Sequence, residues 1–117
     1  MKVCYVDEAG CTGPLPSATS NIQPVLTISG MMIDYADLHA LTSGVLDLKR
    51  RFYPNLAPHS TYLGLILPEI KGSEVRKNAC DASRNVRRHA FGYMDGMMSL
   101  LEACNAKVAG RVWVKGI

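Results

Sequence analysis

Two long stretches of helical periodicity, set among short apolar runs, constrain this chain more than any other feature. Leu38, Leu41, Val45, Leu48 and Phe52 recur at steps of three and four, which puts them on one helix face. Asp34 is placed to cap that helix, Asp37 adds negative charge near its start, and Lys49, Arg50 and Arg51 suit its negative end. Pro54 and Pro58 are expected to stop it. A second long helix is predicted from near Asp81 to about Cys104, with Val86, Ala90, Met94, Met97, Leu101 and Cys104 as its apolar face.

Between and around these helices the pattern is that of strands. Lys2 to Asp7 carries the continuous apolar run Val3-Cys4-Tyr5-Val6 ahead of a turn cluster from Gly10 to Pro16, which suits a central strand covered on both faces. Val25 to Ile33 reads as a second strand, with Gly30 as a site for a bulge. Leu63, Leu65 and Leu67 alternate within residues 61–71, which predicts a third strand ending near Glu69, after Pro68. Ser73 to Lys77 suits a short helical turn, and Lys107 to Lys115 a last strand through Val108, Val112 and Val114. The order strand, strand, helix, strand, helix, strand predicts an α/β fold with a mixed β-sheet flanked by helices. At 117 residues the chain is read as one domain, 1–117.

Composition excludes several classes. With 48% hydrophobic and 20% charged residues the chain is expected to be globular, not disordered or coiled-coil. The four cysteines form no C-x-x-C pair, so no zinc ribbon or thioredoxin-like motif is spelled out. Residues 9–33 lack charge, but Pro14, Pro16 and Pro24 among Ser, Thr and Asn make a poor membrane span, and the residues after Met1 read as a strand with no signal-type leader expected. A cytoplasmic location is the default expectation. A G-x-S-x-G elbow, a Walker-type loop and a G-x-G-x-x-G fingerprint are all missing. His39, His59 and His89 stand apart in sequence with no metal-type partner at helical spacing, and are read as surface or structural histidines.

The sharpest local feature is Tyr5-Val6-Asp7-Glu8-Ala9-Gly10, two carboxylates at the end of a predicted strand, where α/β proteins tend to bind ligands. Strand alternation would send Asp7 and Glu8 to opposite faces, with Asp7 the residue of first contact. A hydrated strand end is the other reading of the pair. Glu69 closes the third apolar run, so if the two strands are neighbours Asp7 and Glu69 converge, and oxygen ligands of that kind suit Mg²⁺ or Mn²⁺. Lys71 would share Glu69's face and could pair with it or with a phosphate; a surface salt bridge is the alternative.

The overall net charge is only +3, but it is unevenly spread. Residues 71–88 hold Lys71, Arg76, Lys77, Arg84, Arg87 and Arg88 against only Glu74 and Asp81. Arg84, Arg87 and Arg88 fall at i, i+3 and i+4, one basic helix face able to approach a phosphate backbone, or simply a solvated face. Gly92 and Gly96 share a helix face near Met94, Met97 and Met98, and are read as a close contact in the core or between copies.

The segment from Tyr5 to Gly13, YVDEAGCTG, resembles the opening Y-[IV]-D-E-[SA]-G-x-[ST]-G of an uncharacterised prokaryotic family, domain-of-unknown-function family 3800. Glu69-Ile70-Lys71-Gly72-Ser73 resembles that family's E-[IL]-K-G-S segment. The resemblance implies a ribonuclease H-like fold, in which acidic residues around a divalent metal cut or transfer nucleic-acid strands. It implies Asp7 and Glu69 as metal ligands, with Glu8 as a third catalytic candidate. Cys11 stands where relatives often carry Asp, and the later Q-x-A-D segment is absent, so the resemblance implies the N-terminal part of such a domain or a degenerate member.

Two functional expectations follow. One is a Mg²⁺- or Mn²⁺-dependent nuclease or phosphodiesterase using Asp7, Glu69 and Glu8, with Lys71, Arg84, Arg87 and Arg88 on nucleic acid. The other is a non-catalytic interaction or assembly module that forms homo-oligomers through the Gly92/Gly96 helix and an exposed sheet edge.

Overall fold

The computed structural model describes residues 1–56 and 61–116. Pro58 and His59, expected respectively to stop a helix and to sit at the surface, lie outside the described residues. The chain divides into two compact units, residues 1–35 with 105–117 and residues 36–104.

The first unit is a three-stranded sheet of β1 (Lys2–Gly10), β2 (Val25–Asp34) and β3 (Lys107–Val114) in the order β1-β2-β3. Both pairings are antiparallel, so the expected mixed sheet is replaced by a purely antiparallel one among the described residues. The central strand is β2, not β1, whose residues are exposed except for half-buried Val3. Pairing runs without a break from Lys2 opposite Asp34 to Gly10 opposite Leu26, and from Val25 opposite Val114 to Met32 opposite Lys107. Gly30 therefore marks no bulge; it pairs with Val6 on one side and Ala109 on the other.

Each ladder extends one bond past the strand ends, Tyr35 N–H to the Met1 carbonyl (3.0 Å) and Lys115 N–H to the Pro24 carbonyl (2.9 Å). Asp34 ends β2 and caps no helix; its carboxylate receives the Lys2 ammonium at 3.0 Å across the first ladder. At the other end Gly10 has φ +110°, and a Cβ there would collide with the Val25 carbonyl oxygen, so only glycine fits.

The second unit is helical: α1 (Leu38–Phe52), α2 (Tyr62–Ile66), α3 (Gly72–Ala79) and α4 (Arg84–Ala103). A 3₁₀ turn at Tyr35–Asp37 leads into α1. The α1 and α4 periodicities were legible, and their packing explains the glycines. A Cβ on Gly96 would fall 2.7 Å from Leu48, one on Gly92 would fall 3.0 Å from Phe52, and Gly44 is similarly closed by Leu100. These pairs run in opposite directions at steps of four, so a large side chain of one helix seats in a glycine notch of the other. The Gly92/Gly96 face is thus taken up inside the chain, which removes it as the contact between copies.

The predicted strand over residues 61–71 is instead α2 followed by an irregular stretch. Thr61 caps α2 by accepting the Gly64 N–H at 3.3 Å. Lys49 of α1 is the buried charged residue of this unit, 8% exposed, and its ammonium donates to the Leu65 carbonyl and, at 2.5 Å, to the Pro68 carbonyl. It satisfies carbonyls at the end of α2 that no helical turn follows, and pins the segment leading to Glu69. Leu41, Leu46, Leu65, Val75, Ala90 and Cys104 are the buried apolar residues described in this unit. Asn105, at φ 50°, ends α4 in the left-handed conformation that asparagine tolerates.

Lys49→Met keeps the aliphatic stem but strands two carbonyls, and is expected to cost about 1–3 kcal/mol of stability by urea denaturation. Gly10→Ala should cost about 1–3 kcal/mol through backbone strain, measured the same way.

Candidate functional site

Asp7 and Glu8 sit near the C-terminal end of β1, both exposed, bordering with Val6 and Ile28 a shallow hollow of about 240 Å³. Adjacent strand residues face opposite ways, yet Asp7 Oδ1 accepts the Glu8 N–H at 2.9 Å, which holds its carboxylate close beside the chain at Glu8. The second oxygen of Asp7 and the whole Glu8 carboxylate stay available to a cation.

Glu69 is not on a strand. It lies between α2 and α3 in the helical unit, so the expected convergence of two neighbouring strand ends does not arise. Among the described residues no group of three or more His, Cys, Asp or Glu side chains is arranged to hold a metal ion. Of the predicted carboxylates, Asp7 and Glu8 stay side by side as sequence neighbours on β1.

Register exposes a feature the motif reading missed. Glu8 pairs with Ile28, and Ile28 pairs with Arg111, so these three side chains share one row on one sheet face. Along β3 the same face carries Lys107, Ala109, Arg111 and Trp113, while Val108, Gly110, Val112 and Val114 take the other. The Arg111 guanidinium lies 5.4 Å from the centroid of the Trp113 ring, and the indole is 40% exposed. A partly exposed indole beside a guanidinium is the kind of surface on which a nucleic-acid base stacks. The signal was present as strict alternation in β3, which locates the strand by its valines and the basic-aromatic face by what stands between them.

Of the predicted nucleic-acid contacts, Lys71 precedes α3, and its carbonyl accepts the Glu74 and Val75 N–H groups. Arg84, Arg87 and Arg88 open α4, as expected, but their roles differ. Arg87 turns back to donate from Nη1 to the carbonyls of Asp81 (2.6 Å) and Ala82 (2.8 Å), clasping the loop before the helix. Arg84 and Arg88 are exposed. No acidic residue offsets them in the first turn, so they stand at the positive end of the helix dipole, an arrangement that costs stability and favours an anion.

His89 joins Phe52, Tyr53 and Tyr93 in an edge-to-face cluster, centroids 5.2–5.8 Å apart, with Nε2 2.6 Å from the Phe52 carbonyl at the end of α1. The structural reading of this histidine holds. Burial raises the Tyr53 pKa above that of an ordinary phenol, with the Glu74 charge adding to it, and burial likewise raises Tyr93, with Tyr53 adding to it. The folded chain therefore holds these protons more tightly than the unfolded one.

Comparison with known proteins gives no match: no family model, no curated protein and no solved structure matches the chain. No helix among the described residues is long and apolar enough to cross a membrane.

Because folding raises both phenol pKa values, their contribution to stability is whole below about pH 10 and fades as the pH climbs past it. Alkaline titration of the unfolding free energy is expected to show this loss, and Tyr53→Phe with Tyr93→Phe should flatten it.

Proposed function

We propose that this chain is a divalent-metal-dependent phosphodiester-cleaving domain acting on nucleic acid, of ribonuclease H-like kind and related to the family that its YVDEAGCTG opening resembles. The observation that carries the reading is the shared sheet face of Glu8, Arg111 and Trp113, with the Asp7 carboxylate held against the Glu8 N–H next to it. In this reading Asp7 and Glu8 would hold Mg²⁺ or Mn²⁺, which would supply positive charge for a phosphate and acidity for a bound water. Trp113 stacks a base and Arg111 pairs with the phosphate, and on the helical unit the exposed Lys71, Arg84 and Arg88 offer cations to a phosphate backbone. Arg87 supports Arg84 and Arg88 by holding the loop that starts α4.

A second reading has its own observation. Val108, Val112 and Val114 on the other face of β3 are 59–79% exposed, and Tyr5 on the same face is half exposed. An open apolar sheet face is also what a non-catalytic assembly module presents. Sedimentation at increasing concentration separates the two: a mass that rises without regard to metal favours assembly, and a monomer that binds Mn²⁺ favours the enzyme.

Asp7→Asn is expected to weaken Mn²⁺ binding about ten-fold or more in a protein that still folds, measured by calorimetry; unchanged affinity would remove Asp7 from the site. Trp113→Ala and Arg111→Ala should each weaken binding of a short single-stranded oligonucleotide, Arg111→Ala also lowering the salt slope by about one. Replacing Arg84 and Arg88 by Ala should flatten the same slope further.

A further inference from the structure

The helical unit carries a second hollow that the proposed chemistry does not use. It lies between α3 and α4, has a volume of about 320 Å³, and is walled by Val75, Tyr93, Met94, Met97 and Met98. Three of the six methionines of the chain gather here. Met94 and Met98 remain 39% and 62% exposed. Unbranched, polarisable thioethers adapt to apolar guests of varied shape, which is why such surfaces recur at binding sites.

The hollow is not apolar throughout. Arg76 and Cys80 line it, and the same two residues also line an adjoining depression of about 360 Å³ with Ser73 and Lys77. Residues 73, 76, 77 and 80 form one stripe of α3 at helical spacing, so the apolar wall ends at a basic edge. Among the described residues neither Arg76 nor Lys77 makes an ion pair. Glu74, on the same helix, raises the Tyr53 pKa and is no part of either lining.

From the apolar wall and its unpaired basic edge we infer a binding site for a small amphiphilic carboxylate, its hydrocarbon body on Met94, Met97 and Met98 and its head at Arg76. A volume of about 320 Å³ is near the lower end of the range for small-molecule sites, so a medium-chain acid fits better than a bulky lipid. The guanidinium offers the carboxylate paired donors, with Lys77 adding charge beside it. This inference is independent of the metal reading, since none of the residues it uses is a proposed metal ligand or nucleic-acid contact.

The test is titration of the full chain, labelled at its methionine methyl groups, with decanoate kept below its micelle concentration. The NMR signals of Met94, Met97 and Met98 should shift saturably while those of Met31 and Met32 stay still. Arg76→Gln, at an exposed site that leaves the fold intact, should weaken decanoate at least five-fold and leave decanol unaffected. Equal shifts at all methionines would overturn the site, as would a failure of either probe to shift Met94, Met97 and Met98. Equal affinity of wild type and Arg76→Gln for decanoate would overturn the role of the basic edge. Shifts produced only by vesicles of anionic phospholipid, and not by decanoate, would overturn the small-ligand assignment in favour of a membrane surface.

Discussion

The sheet unit depends on β2 being paired along both edges at once. Its two partners come from opposite ends of the chain, residues 2–10 and 107–114, and in the sheet they meet only through it. Every relation between β1 and β3, including the row that brings Glu8 and Arg111 onto one face, is therefore set by the register of β2. A slip of one residue would turn that face over and scatter the row. Gly10, which lets the chain pass close to Val25, and the Lys2–Asp34 ion pair stand at opposite ends of the first ladder and oppose such a slip.

What could be read from sequence divides along physical lines. The long helices were legible because each repeats its apolar spacing over several turns, and β1, β2 and β3 because β-branched runs lie between turn signals. Residues 61–67 were not: Leu63, Leu65 and Leu67 alternate as in a strand, but over so few residues period two and a helical turn cannot be separated. What decides is tertiary, since the Lys49 ammonium donates to the carbonyls of Leu65 and Pro68, and no local pattern announces a lysine sixteen residues away. Losing that strand also removes the partner that a βαβ unit through α1 would have supplied, and the strands that remain pair antiparallel.

The candidate site was half legible. Asp7 and Glu8 stand out as a motif because they are adjacent in sequence. Trp113 and Arg111 join them only through pairing across two strands, which one sequence does not encode locally. Glu69 shows the converse, a residue that looks placed because of an assumed strand. Arg87, taken for a phosphate contact by its spacing, donates its guanidinium to backbone carbonyls instead, while Arg84 and Arg88 keep the positions that the spacing implied.

The burial of Lys49 also makes it a natural reporter. Its amine is enclosed and engaged by two carbonyls, whereas Lys2, Lys71, Lys77 and Lys107 are exposed. An amine-reactive label reaches those side chains directly, but meets Lys49 only when α1 and α2 separate. The order in which lysines become modified thus records how often the helical unit opens.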